Sequence, residues 1–135
     1  LDIVQAPLNL VDRRLVASGW LRRLTDCGIE VHTRSVFLQG LLVMPSASIP
    51  EKFSPWSSVW EAWHEWLSGK GISAVQACLG FALSYPEVDR VVVGVETLAQ
   101  LSQLISAARS PLGIDFLDIS ITDERLINPS LWSSL

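Results

Sequence analysis

Cysteine and histidine side chains are the first candidates for chemistry in this 135-residue sequence, because both ligate metals and take part in catalysis. Cys27 and Cys78 are far apart in the chain and lie in apolar helical patterns. His32 and His64 have no ligand-like spacing to each other or to either cysteine, so no metal site is expected. We interpret the cysteines as two structural thiols in a reducing cytosol; the alternative is a disulfide or metal site.

Aromatic side chains form the second chemically distinctive group. Tyr85 is the only tyrosine, and it ends a predicted helix next to Pro86, so we interpret it as structural. Four tryptophans recur at helical spacing, which is typical of a core or interface; the alternative is the wall of a substrate pocket. They are Trp56, Trp60, Trp63 and Trp66.

Composition excludes several classes of partner. Apolar residues make up 49% of the sequence and charged residues 18%, which is typical of a globular domain. The net charge is −4, and the basic residues are scattered, with small pairs at 13–14 and 22–23, so no nucleic-acid partner is expected. No apolar run reaches the roughly 18 residues of a membrane span. We expect a cytoplasmic protein without a signal peptide, whose natural N-terminus lies upstream of Leu1.

Strand and helix patterns alternate along the chain. Apolar runs bounded by proline or glycine predict three strands, and 3.6-residue periodicity predicts the helices between them. The strands are expected at 2–7, 29–33 and 89–94, and the helices from Asp12 to about Cys27, from Ser54-Pro55 to 69–71, at 74–85, at 98–108, and as a short helix after Thr122.

Capping signals and apolar stripes support these helices. Gly28 suits a left-handed C-terminal turn, and capping boxes are predicted at Ser73–Gln76 and Thr97–Gln100. The predicted inner faces are Val16, Trp20, Leu24 and Cys27; Trp56, Trp60, Trp63 and Leu67; Val75, Leu79, Ala82 and Leu83; and Leu98, Leu101, Leu104, Ile105 and Ala108.

The order of elements predicts an α/β fold with parallel strands and right-handed crossovers. Three strands are too few to close a barrel, so we expect one domain over 1–135 with two open sheet edges and an apolar inner face. Such edges can pair with another part of the parent protein or with a second copy of the chain.

Three stretches together resemble the aldo-keto reductase family. Gln5-Ala-Pro-Leu-Asn9 resembles that family's Gln-x-x-Tyr-Asn at the sixth barrel strand, and Gly28 to Leu42 resembles its seventh strand and following loop. The segment from Ala74 through Val91-Val-Val-Gly94 to Gln100 resembles the approach to the eighth strand and the next helix. The resemblance covers about residues 1–108 and leaves 109–135 as a tail. It implies the C-terminal portion of a (β/α)8 TIM barrel that reduces carbonyls or oxidises alcohols with NADP or NAD.

The resemblance also implies roles for individual residues. Gln5 matches the glutamine that contacts the nicotinamide carboxamide, and Arg34 falls where many members stack an aromatic ring on the nicotinamide. Asn9 is expected to fix the turn after the strand. The positions that match the pyrophosphate-wrapping loop are Ser35, Phe37, Gln39 and Gly40.

The adenosine end departs from the family pattern. Gly94, Gln100 and Gln103 occupy cofactor positions, but only Gln100 keeps a common family choice. Glu96 stands where a basic residue often holds the 2′-phosphate of NADP, and Gln103 and Leu104 replace the family's Glu-Asn. Weak NADP binding, NAD use and a degenerate site all stay open.

The family's catalytic Asp-Tyr-Lys-His tetrad comes from the first half of the barrel, so no residue of this chain is expected to be catalytic. We expect the chain alone to be inactive and to need that half, the cofactor and a small carbonyl substrate. A catalytically silent, cofactor-sensing or interaction module, or a self-associating partial barrel, is the alternative.

Overall fold

A computed structural model describes all 135 residues and contains one parallel sheet of three strands in the order β1-β2-β3. In its register Val4 lies beside Val31, and Thr33 lies beside both Ala6 and Val91. The predicted open α/β arrangement is confirmed. The strands are β1 (Ile3–Pro7), β2 (Glu30–Arg34) and β3 (Arg90–Val91); the helices are α1 (Arg14–Ala17), α2 (Trp20–Asp26), α3 (Ser57–Lys70), α4 (Ala74–Leu83), α5 (Leu98–Arg109) and α6 (Glu124–Ile127); and 3-10 turns cover Leu41–Val43, Ser46–Ser48, Glu51–Trp56 and Pro129–Ser134.

The single helix predicted from Asp12 to Cys27 is wrong. The chain breaks at Gly19, whose φ of 78° is left-handed, and this separates α1 from α2. Asp12 does not cap a long helix but pairs with the Arg14 guanidinium at 2.9 Å. The other end is as predicted: Gly28 has a φ of 71°, and the Ile29 N–H donates to the Leu24 carbonyl at 3.0 Å.

The break also changes which side chains point inward. Leu15 and Leu21 are buried, whereas Trp20 is 54% exposed and Cys27 is exposed. The predicted face through Trp20 and Cys27 is therefore wrong, since the left-handed Gly19 interrupts the 3.6-residue period on which it was based.

Helix α3 supplies buried tryptophans to the core. It begins at Ser57, after a 3-10 turn, and not at the predicted Ser54-Pro55 cap. The predicted stripe of Trp56, Trp60, Trp63 and Leu67 is buried. The Trp63 indole N–H donates to the Leu42 carbonyl at 2.9 Å, and that of Trp60 donates to the Phe53 carbonyl at 3.1 Å. These tryptophans are core residues that also tie down the segment between β2 and α3.

Helix α4 begins with the predicted capping box, in which Ser73 and Gln76 exchange both hydrogen bonds. Leu83 was predicted to face inward, but it is 47% exposed because the helix ends there. Phe81 and Cys78 are buried instead, and burial raises the pKa of the Cys78 thiol.

Strand β3 is shorter than the predicted 89–94. The Asp89 and Val92 N–H groups still donate to the Val31 and Thr33 carbonyls at 2.9 and 2.8 Å. Regular pairing covers only Arg90–Val91, because β3 has a neighbour on one side only and the chain leaves β2 after Val92.

The open face of the sheet is polar, which corrects the predicted apolar inner face. Val31 and Thr33 point toward the helices and are buried, and the alternation of strand side chains puts Glu30 and His32 on the opposite face. The Glu30 carboxylate lies 2.7 Å from His32 Nε2 and 3.3 Å from Arg90 Nε. The bond with His32, followed by Arg90, lowers the pKa of Glu30.

The C-terminal tail packs against the loop after β1. The Ile121 N–H donates to the Val11 carbonyl at 2.8 Å, and Arg13 stacks on the Phe81 ring at 4.7 Å while donating to the Leu117 carbonyl. Leu126 in α6 is fully buried in the main core. The tail therefore belongs to the same packed unit as the sheet. None of the helices combines the length and the apolar character needed to cross a bilayer.

Candidate cofactor-binding cleft

A cleft of ≈ 940 Å³ opens between the loop that follows β2 and the segment that joins β3 to α5. These two segments are neighbours because β2 and β3 are parallel and adjacent, so their carboxyl ends meet at the same edge of the sheet. Of the nine residues predicted to contact a cofactor, this cleft brings together seven. They are Ser35, Phe37, Gln39, Gly40, Gly94, Gln100 and Gln103.

The loop at 35–40 has an unusual backbone. Ser35, Leu38 and Gln39 have φ values of 59°, 49° and 54°, and Gly40 follows at 86°. Left-handed conformations cost side-chain-bearing residues free energy, so packing around the loop must maintain them. Only the Leu38 N–H has an acceptor in the chain, the Ser35 carbonyl at 3.0 Å. The loop N–H groups without an acceptor are those of Ser35, Val36, Phe37, Gln39 and Gly40. Clustered N–H groups of this kind bind anions.

Asn9 fixes the first residue of this loop. Its side chain is 1% exposed, donates to the Ser35 carbonyl at 3.0 Å, and accepts from the Val11 and Asp12 N–H groups at 2.9 and 2.8 Å. Asn9 therefore fixes the turn after β1, as predicted, and the same side chain also joins the end of β1 to the end of β2.

The far end of the loop is held by α3. The two ring nitrogens of His64 lie 2.7 Å from the Trp60 carbonyl and 3.0 Å from the Met44 carbonyl. His64 had no assigned role in the sequence, since nothing in its spacing identifies two backbone carbonyls as partners. It anchors the chain just beyond Val43, which also lines the cleft.

The opposite wall is the N-terminus of α5. Thr97 accepts from the Gln100 N–H at 3.1 Å, as predicted, but the Gln100 side chain accepts from the Glu96 N–H at 2.8 Å and not from Thr97. The predicted capping box is therefore half formed, and Gln100 stiffens the turn that carries Glu96. Among all the residues that line the cleft, Glu96 alone is ionisable.

Two predicted residues lie outside the lining. Gln5 is exposed and in register with His32 on the open face of the sheet. Arg34 ends β2, and its guanidinium donates to the Ser35 hydroxyl at 3.3 Å, at the rim of the cleft. Gln5 thus lies outside the cleft, whereas Arg34 is adjacent to it.

The groups in the cleft suit an anionic ligand that also carries hydroxyls. Free backbone N–H groups and the nearby Arg34 suit a diphosphate, and the side-chain amides of Gln100 and Gln103 suit hydroxyl groups or a base edge. No group of His, Cys, Asp and Glu in the chain could hold a metal ion. A nicotinamide dinucleotide fits these groups in its diphosphate and ribose parts.

A second cleft of ≈ 450 Å³ lies between β1 and the pair α1–α2. Val4, Leu15 and Trp20 are among its mainly apolar lining residues, and Arg14 is its only charged one. It opens at the edge of β1 that has no neighbouring strand and presents no constellation for chemistry.

Comparison with known proteins gives a consistent result. A family model described as "Aldo/keto reductase family" matches residues 1–120. The holo form of aldo-keto reductase AKR11C1 from Bacillus halodurans superimposes with a TM-score of 0.66 at 18% identity, covering 83% of this chain and 38% of that one. Its apo form gives 0.65 at 17% identity, with 97% and 43% coverage. The chain thus spans about two fifths of those structures. No curated protein matches it.

Proposed function

Because this chain belongs to the aldo/keto reductase family, we propose that it is the C-terminal, cofactor-cradling portion of an NAD(P)H-dependent carbonyl or alcohol oxidoreductase. The observation that carries this proposal is the cleft at the carboxyl ends of β2 and β3, where ligands of parallel α/β proteins gather.

Each residue has a definite part in the proposed cradle. The loop N–H groups of Phe37, Gln39 and Gly40 bind the diphosphate, with Arg34 at the rim. Gln5, on the open face of the sheet, holds the nicotinamide carboxamide, because its amide can donate and accept together. Gln100 and Gln103 contact the adenosine end. The bound nicotinamide supplies hydride chemistry, and these residues orient it.

The proton-transfer residues are proposed to come from the other half of the barrel. Tyr85 supports this division, since its ring is half-buried and packs edge-to-face on Phe81 with centroids 5.4 Å apart. Such a ring is part of the core. The chain alone is therefore expected to show no turnover. We also propose that the protein is cytoplasmic.

The cradle is tested by titrating the chain with NADH and NADPH while following energy transfer from tryptophan to the reduced nicotinamide. Gly40→Ala should weaken binding about tenfold, because it puts a Cβ at a φ of 86° within the anion-binding loop. Gly71→Ala is the matched control, with a φ of 65° at the end of α3, away from the cleft. Equal loss of affinity in both variants, or no binding by the unsubstituted chain, would overturn the proposal.

The proposal that the proton-transfer residues come from the other half of the barrel is tested by supplying the N-terminal half of a family member as a separate chain. Carbonyl-dependent oxidation of NADPH or NADH should appear only when both halves are present. Turnover by this chain alone would show that it has a catalytic group of its own.

A self-associating partial barrel is the second candidate, and the open edges favour it. Val92 and Val95 beside β3 and Leu98 at the start of α5 are exposed apolar residues, as is Ile3 on β1. Light scattering should then give a mass that rises with concentration, and a stable monomer would exclude this candidate.

A further inference from the structure

The charge of the cleft bears on the choice of cofactor. At the α5 end, the wall consists of Gly94, Val95, Glu96 and the amides of Gln100 and Gln103. None of the cleft-lining residues is Lys or Arg, and Glu96 contributes the only charge. A ligand group at this end therefore meets one carboxylate and two neutral amides.

The layout of the cleft, together with the proposed position of the nicotinamide at Gln5, determines which part of a dinucleotide reaches this end. The free N–H groups of the 35–40 loop lie at the opposite wall, with Arg34 beside Ser35. In the proposed cradle Gln5 holds the nicotinamide, so a diphosphate on that loop leaves the adenosine ribose to occupy the α5 wall. The 2′ position of that ribose then lies in the region whose charge is set by Glu96.

The helix end cannot compensate for Glu96. The N-terminus of a 12-residue helix such as α5 attracts anions through its free N–H groups. Glu96 stands directly before the Thr97 cap, and a negative side chain beside a helix N-terminus offsets part of that positive partial charge. Its backbone is fixed by the bond from its N–H to the Gln100 side chain at 2.8 Å. A second negative group at this point would be added beside a carboxylate whose backbone position is fixed.

We infer that the cleft selects a nicotinamide dinucleotide with an unmodified ribose diol and discriminates against the 2′-phosphorylated form, with Glu96 as the specificity-determining residue. This inference rests on the proposed cofactor role of the cleft. A carboxylate accepts hydrogen bonds from two vicinal hydroxyls but repels a phosphate monoester, which carries nearly two charges at neutral pH. Glu96 is exposed, so the discrimination is modest and weakens with added salt.

The test is to measure dissociation constants of NADH and NADPH for the chain, at low and at high salt, by energy transfer from tryptophan. We expect NADH to bind about tenfold more tightly at low salt. Glu96→Gln should remove most of that difference, and Glu96→Arg should reverse it. Glu65→Gln, on the exposed side of α3, changes the net charge equally and should leave the ratio unaltered.

The outcomes separate the two proposals. Equal or tighter binding of NADPH by the unaltered chain, or a ratio that Glu96→Gln leaves unchanged, would overturn the assignment of Glu96 while the cofactor role stands. Failure of both dinucleotides to bind would overturn the cofactor role itself, and the specificity inference with it.

Discussion

Asn9 illustrates how one buried side chain can set the geometry of a site that it does not line. Its carboxamide nitrogen donates to the Ser35 carbonyl, and its carboxamide oxygen accepts from two N–H groups in the turn after β1. One side chain thereby joins that turn to the end of β2. Ser35 is the first of the left-handed residues in the loop at 35–40. The free energy that stabilises this strained backbone therefore comes in part from a residue 26 positions away.

Asn9→Ala is expected to lower the free energy of unfolding by about 2 kcal/mol, because it leaves two buried N–H groups and a carbonyl without partners. Urea denaturation measures the change. Asn128→Ala is the control, since Asn128 accepts only from Ser130 and the expected loss is about 0.5 kcal/mol. A similar small loss for both variants would mean that the loop does not depend on Asn9.

Thr33 is the reverse case, because its buried hydroxyl makes no hydrogen bond. It is fully buried in β2, and its hydroxyl has no hydrogen-bond partner. Thr33→Val replaces that hydroxyl by a methyl group of similar size and should raise the free energy of unfolding by about 1 kcal/mol. Thermal unfolding followed by circular dichroism checks this. Thr25→Val, where the hydroxyl donates to the Leu21 carbonyl in an exposed helix, should give no gain.

At the scale of elements, the two capping boxes have different strengths. Ser73 and Gln76 exchange both bonds at the start of α4, whereas Thr97 only accepts from Gln100. Helix α4 packs into the main core, so its cap stabilises the whole fold. The cap of α5 stabilises a helix that is largely exposed, with Leu98 at 78%. The predicted inner face of α5 is therefore wrong except at Leu104, and Ala107 is buried instead of Ala108.

Ser73→Ala is accordingly expected to lower the free energy of unfolding by about 1 kcal/mol. Thr97→Ala should cost less globally and should instead increase amide hydrogen exchange in the first turn of α5, because that helix can open locally. Hydrogen-exchange mass spectrometry distinguishes the two. Equal protection loss in α4 and α5 would contradict this account.

The sequence predicted an element correctly where a single residue type has a single structural role. Gly28 at the end of α2, the Ser73 cap and the tryptophan stripe of α3 follow from conformational freedom, a hydroxyl acceptor and helical periodicity. The seven cleft residues could be selected through the family resemblance. The hydrogen bonds of Asn9, His64 and Gln100 that hold the cleft segments in place could not be predicted in this way.

The remaining errors concern interactions distant in sequence. The break at Gly19 and the exposure of Trp20 depend on how α1 and α2 pack against the sheet, and no periodicity encodes that packing. The shortness of β3 depends on the absence of a neighbour on its other edge. The polar inner face results from Glu30, His32 and Arg90, which approach only when the strands pair. His64 likewise meets the Met44 carbonyl only after α3 has packed.

At the scale of the whole molecule, the tail is a structural part of the fold. Leu126 and Ile127 are buried in the main core, and Trp132 packs edge-to-face on Phe53 with centroids 4.8 Å apart. The family match ends at residue 120, so these three tail residues lie beyond it.

Deleting residues 122–135 should therefore remove cooperative unfolding or lower its free energy by more than about 4 kcal/mol, because two fully packed side chains are lost together with α6. Deletion of 133–135 alone, where the side chains are exposed, should change little. Differential scanning calorimetry provides the comparison. An unchanged transition in the longer deletion would show that the sheet and α3 fold without the tail.

The ion-paired face of the sheet has a consequence for the behaviour of the chain at high concentration. A half-open barrel lined with valine and isoleucine would stack on itself, whereas Glu30, His32 and Arg90 put hydrated charge at the centre of this face. Charged groups at these positions act as gatekeepers against amyloid-like stacking. Val92 and Val95 remain as exposed apolar residues along the β3 edge, where a lysine substitution should raise the solubility of the chain.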